Sequence, residues 1–147
     1  MGEEDCAGQE EAGPYRLRAQ NNCGNRPTEA TVNMLSCWFS NVDTFNCDKI
    51  LEISYLLDNC DIKPSIIALS EVKPKNYRDE RLLAEYNLEG YEFIHTNISK
   101  EDRGRGMILY VNENVRYTPV NFDREYQEYL AAEISLKDND KLLVVSV

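Results

Sequence analysis

Residues 63–73 read Lys-Pro-Ser-Ile-Ile-Ala-Leu-Ser-Glu-Val-Lys. Pro64 interrupts whatever precedes it, and the run Ser65–Ser70 behind it is short, apolar and β-branched, the pattern of a strand buried on both faces. Upstream, Ile50, Ile53 and Leu57 recur at helical spacing with Leu51 and Leu56 beside them, which predicts a helix to about Asn59 with Asn46 or Asp48 as its cap. Before that, from Thr31, residues Val32, Met34 and Trp38 alternate roughly with polar partners, as in a first core strand, and Asn41-Val42-Asp43-Thr44 follows as a polar turn. Strand, helix and strand in this order make a βαβ-like unit.

Downstream the pattern becomes strand-rich. A polar loop with Pro74, Asn76 and Arg78 leads to a short amphipathic piece around Arg81 to Tyr86. Glu89-Gly90 turns into a strand over 91–95, a charged loop spans Lys100 to Gly106, and Met107–Val111 is another buried strand closed by a turn at Asn112–Asn114. Two further strands, Tyr129–Leu136 and Leu142–Val147, flank the turn Asp138-Asn139-Asp140 and read as a hairpin. The aromatics Trp38, Phe39, Phe93 and Tyr110 fall in these strands and are expected in the core, and His95 reads as a sheet residue.

The remaining N-terminal stretch, residues 1–30, is rich in Glu, Gly, Gln and Asn, with Tyr15 and Leu17 almost its only sizeable apolar groups. Such a segment buries too little surface to offset its ordering entropy, so it is expected to be a disordered acidic leader, leaving residues 31–147 as one domain. The 147 residues carry 16 Lys and Arg against 26 Asp and Glu, a formal charge of −10, and the leader accounts for only a minor part of it. Wholesale attraction to phosphate backbones or anionic membranes is disfavoured, so any nucleic-acid contact must be local. Five cysteines without a Cys-x-x-Cys pair or a Cys/His cluster support neither a disulfide framework nor a zinc site. With no apolar run long enough to span a bilayer and no signal-peptide pattern, the expectation is an intracellular protein, nuclear or cytoplasmic, with no membrane partner.

Two polar residues sit where strands end: Asn41 after the first and Glu71 after the buried run. In open α/β sheets, ligands collect at the carboxyl ends of strands. A carboxylate there suits Mg²⁺, which takes few protein oxygens and keeps several waters, so Glu71 is the metal candidate.

Four strings in order, residues 34–41 (Met-Leu-Ser-Cys-Trp-Phe-Ser-Asn), 63–73, 88–91 (Leu-Glu-Gly-Tyr) and 103–111 (Arg-Gly-Arg-Gly-Met-Ile-Leu-Tyr-Val), give the chain a further likeness. From about residue 31 onward it resembles the endonuclease/exonuclease/phosphatase superfamily, also called DNase I-like. Within it the likeness is to the apurinic-type endonuclease domains of non-LTR retrotransposons. The resemblance implies an α+β fold: part of a four-layer α/β/β/α sandwich, two packed mixed β-sheets flanked by helices. It implies a Mg²⁺-dependent phosphodiesterase acting on DNA, with Asn41 matching the active-site Asn that orients the scissile phosphate and Glu71 matching the metal-ligating Glu. It also implies that the loops carrying Lys73, Lys75 and Tyr77 and carrying Arg103 and Arg105 border this crevice, where the cations would grip a phosphate backbone and Tyr77 would stack on a base.

The family's Tyr-containing motif, its Gly-Asp-x-Asn motif and its late Asp/His segment have no counterpart in these 147 residues. Catalytic groups act as a unit, so the expectation is the N-terminal portion of an endonuclease domain, inactive as the isolated chain, with weak binding of Mg²⁺ or Mn²⁺. DNA is the expected partner if the chain is part of a complete domain. The alternative is a non-catalytic interaction module derived from a truncated or degenerate nuclease. The apolar ending Leu142–Val147 would then self-associate through its exposed strand edge.

Overall fold

The computed structural model describes residues 34–76, 80–122 and 128–147. The buried run becomes β2 (Ile66–Ser70), flanked in the sheet by β1 (Cys37–Asn41) and β4 (Met107–Asn112), with β3 (Tyr91–Thr96) on the far side of β4. The order is β1-β2-β4-β3; β1 runs parallel to β2, and β4 is antiparallel to both of its neighbours. A second sheet, fully antiparallel, has the order β5-β6-β7 and is built from Tyr117–Val120, Leu130–Ser135 and Lys141–Ser146.

The unbroken apolar character of β2 and β4 follows from having a core on each face. Ile67, Leu69, Ile108 and Tyr110 pack on one side with Leu57, Phe45, Val72 and Tyr86. Ile66, Ala68, Met107, Leu109 and Val111 pack on the other against Leu130, Ala132 and Ile134 of the second sheet. The helix α1 (Cys47–Asp58) covers the first face, so the described residues form three layers: helix, four-stranded sheet and three-stranded sheet. An α+β fold with two packed sheets therefore matches the expectation at that level.

Local choices agree with the sequence in most places. Asn46 is the cap of α1, its side chain accepting the Lys49 N–H at 3.0 Å. Leu57 is buried, and Ile50 and Ile53 lean on the same core. Residues 83–86 form a single 3₁₀ turn, and the predicted hairpin is β6 and β7, whose connection is turned by Asp138 and Asn139 at positive φ. His95 lies in β3, exposed, as expected of a sheet residue.

Four expectations need correction. The first strand begins at Cys37 rather than near Thr31; Met34 is 61% exposed, and Val32 lies outside the described residues, as does the proposed leader. Phe39, expected in the core, is 61% exposed, because β1 is an edge strand and the three strands of the second sheet do not reach over it. Leu51 and Leu56 are exposed as well, since only a narrow stripe of α1 meets the sheet. Finally, the last third holds a strand beyond the two expected, β5; among the described residues it pairs with β6 alone, and an edge strand tolerates Pro119, which has no N–H.

Two buried phenols tie distant segments together. Tyr110 Oη donates to the Tyr86 carbonyl at 2.6 Å and Tyr91 Oη to the Pro64 carbonyl at 2.7 Å. Burial, reinforced by the neighbouring Tyr86, pushes the Tyr110 phenol far above its ordinary value. That neutral phenol stabilises the fold in full below the ordinary value of 10.0, and the contribution is lost as pH climbs from there through the raised folded value.

Candidate functional site

Parallel pairing places the ends of β1 and β2 together. Asn41 is in register with Ser70, the residue before Glu71, and Ser70 is in turn in register with Met107, the first residue of β4, which faces Thr96, the last of β3. One edge of the sheet therefore carries the carboxyl ends of three strands and the loop that enters the fourth.

Three chain segments are stitched together along this edge. Val42, Thr44 and Phe45 donate their N–H groups to the carbonyls of Ser70, Glu71 and Val72 at 2.8–3.0 Å. On the other flank Val72 N donates to the Gly106 carbonyl at 3.2 Å and Lys73 N to that of Arg105 at 2.6 Å. The turns that bring them together hold Asp43, Thr44 and Glu71 at positive φ, an uncommon conformation outside glycine, and Gly104 and Gly106 share it.

Arg105 sits at the centre of the cluster. Its Nη1 donates to Glu71 Oε2 at 2.5 Å, its Nη2 to Asp43 Oδ1 at 2.6 Å and its Nε to the Lys73 carbonyl at 2.9 Å. Asn41 Oδ1 accepts the Asp43 N–H at 3.1 Å, so Asn41 and Glu71 belong to one connected set through Asp43 and Arg105. Lys49 Nζ donates to the carbonyls of Val42 and Asp43. The hydrogen bond from Arg105 and its positive charge, helped by the charges of Lys75 and Lys49, hold the Asp43 carboxyl below its ordinary 3.8. The stabilisation from ionised Asp43 is present above that ordinary value and is lost as pH falls through the lowered one.

The remaining candidates separate. Lys73 is 3% exposed, and its ammonium donates to the carbonyls of Ser99 at 2.9 Å and Asp102 at 2.8 Å, fastening the 99–102 turn to the edge. Lys75 and Arg103 are exposed on the flanking loops, and Tyr77 lies outside the described residues. Glu128 joins the cluster from before β6, its Oε1 accepting the Gly106 N–H at 2.5 Å. Sequence reasoning passed over Asp43 and Glu128. An Asn two residues before an Asp at a strand end is the mark of a turn closed by the Asn side chain, and it could have drawn Asp43 in; nothing local connects Glu128 to Gly106.

One oxygen of Glu71, the metal candidate, is already engaged, and so is one of its neighbour Asp43. Glu71 Oε2 and Asp43 Oδ1 each accept from a guanidinium nitrogen, and Asn41 Oδ1 accepts a backbone N–H. A cationic side chain bridges the two carboxylates, and among the described residues no group of three or more His, Cys, Asp or Glu is placed to hold a metal ion. In this arrangement the cation between the two carboxylates is the Arg105 guanidinium.

On the same edge, an open groove of about 570 Å³ runs between the end of β3 and the neighbouring ends of β5 and β6, lined by His95, Asn97, Asn121, Phe122 and Tyr129 among others. Asn97 links it to the cluster, since its carbonyl lies against Gly106. No helix among the described residues is long and apolar enough to cross a membrane. No protein-family model matches the chain, and no curated protein matches it.

Proposed function

We propose that this chain is the N-terminal part of a phosphodiesterase domain of the DNase I-like, retrotransposon endonuclease type, with DNA as the partner of the complete domain, and that it is catalytically silent by itself. One observation carries this reading: Asn41 and Glu71, the two residues the resemblance singles out, end neighbouring parallel strands one register step apart and share the edge with the Arg103–Gly106 loop. The two packed sheets and the groove beside the cluster are consistent with it. Lys75 and Arg103, exposed on the flanking loops, are the cations open to a phosphate backbone, whereas Lys73 is committed to the 99–102 turn.

Silence follows from the groups at hand. The cluster offers carboxylates, an amide and a guanidinium, but the one histidine, His95, lies in β3 outside it. No neutral imidazole is placed there to activate water, and Glu71 is tied to Arg105. Supercoiled plasmid incubated with the chain and Mg²⁺ is expected to remain supercoiled. Nicking by the chain that disappears in Glu71→Ala would overturn the silence, since it would mean that these residues suffice.

A further inference from the structure

The Glu71 and Asp43 carboxylates approach one another from different segments, and both end on the same guanidinium. Two anions held this close repel unless a cation lies between them, and the demand is met here by a side chain. The Arg fork suits it: one terminal nitrogen serves each carboxylate, while Nε is fixed by the Lys73 carbonyl. The Arg105 backbone is held as well, its carbonyl accepting from Lys73 N at 2.6 Å, so little conformational freedom remains to be lost when the bridge forms. The guanidinium is also mostly sheltered, its side chain 23% exposed, which strengthens its charge on Glu71 relative to an open surface pair.

We infer that Arg105 is the resident cation of the Glu71–Asp43 carboxylate pair and keeps divalent metal ions off those oxygens. A divalent ion taking Glu71 Oε2 and Asp43 Oδ1 would have to break two charge-assisted hydrogen bonds, and one taking the second oxygen of either carboxylate would sit beside a guanidinium, while Mg²⁺ already dehydrates reluctantly. Charge compensation at this edge is thus written into the chain, through a residue 34 positions from one acid and 62 from the other. The inference goes beyond the nuclease reading and does not need it: its test involves neither DNA nor catalysis.

The probe is Mn²⁺ alone, followed by the electron paramagnetic resonance of the free ion in solutions of the full chain. Arg105→Met should bind Mn²⁺ ~10-fold or more tightly than the unaltered chain, corresponding to about 1.4 kcal/mol. Adding Glu71→Gln to Arg105→Met should abolish that gain. Equal or weaker Mn²⁺ binding by a folded Arg105→Met variant overturns the inference. Because Arg105→Met also removes the bond to Lys73, a second measurement uses the unaltered chain: the NMR signal of the Arg105 Nε–H during Mg²⁺ titration. The signal should keep its bonded position wherever Mg²⁺ fails to bind and move only in step with metal occupancy. Metal saturating the Glu71 carboxylate while that signal stays fixed would show that the two cations coexist, and the inference would fall.

Discussion

Gly106→Ala should destabilise the protein by about 3 kcal/mol, read by urea or thermal unfolding. Gly106 holds φ at +76°, where an L side chain is strained, and a Cβ built there would lie 2.7 Å from the Asn97 carbonyl oxygen. The obstacle is backbone rather than a flexible side chain. Gly106 is held in place: its carbonyl is bound by Val72 N, its own N–H is bound to Glu128, and β4 begins at the next residue. The same change at Gly90 serves as the control. Its φ is +80°, but nothing lies within 4 Å of the added carbon, so only the backbone strain of about 1 kcal/mol is expected. Equal effects at the two positions would contradict the close approach at Gly106. The substitution also strikes the cluster, since the Arg105–Gly106 segment is what presents the guanidinium to Glu71.

The second large effect is expected at Leu109, whose replacement by Ala should remove about 3 kcal/mol, a sizeable share of the 5–15 kcal/mol typical of a domain. Leu109 is fully buried in the middle of β4 and packs between the two sheets. Its neighbours in register are Ala68 and Ile94, and the facing cluster holds Leu130, Ala132 and Ile134. Two of these residues are already alanines, so few large side chains are near to fill the cavity, and the loss combines transfer and cavity contributions. Denaturant unfolding reads the change; a loss below about 1 kcal/mol would mean that the inter-sheet contact is not what holds the layers together.

What the sequence displays and what it hides differ by the range of the interactions involved. The strands β2 and β4 are legible because burial on both faces demands uninterrupted apolar residues, and α1 is legible because Asn46 and the stripe of Ile50, Ile53 and Leu57 act within a few positions of one another. The exposure of Phe39 is not legible: it depends on how many strands the opposite sheet contributes. The strand β5 is hidden for a related reason, since a proline is judged by its pairing, which is a tertiary fact.

The candidate site divides along the same line. Asn41 and Glu71 stand out as polar residues at the ends of apolar strands, a local signal. Arg105 reads locally as one more charge in a Gly-rich loop, and only the fold brings it to two distant acids. Lys73, which the resemblance sets against a phosphate backbone, becomes a buried clamp instead, because the 99–102 turn presents two carbonyls that no sequence pattern announces.

The nuclease-derived reading is tested most directly by supplying the groups it lacks. Joining residues 31–147, with Arg105→Met to free the Glu71 carboxylate for the metal, to the C-terminal part of a non-LTR retrotransposon endonuclease domain, with its Tyr, Gly-Asp-x-Asn and Asp/His motifs, should yield a chimera that nicks supercoiled plasmid in Mg²⁺. Glu71→Ala or Asn41→Ala in that chimera should abolish the nicking. A soluble, cooperatively melting chimera that leaves the plasmid intact, or one that nicks equally well without Glu71, would contradict the account.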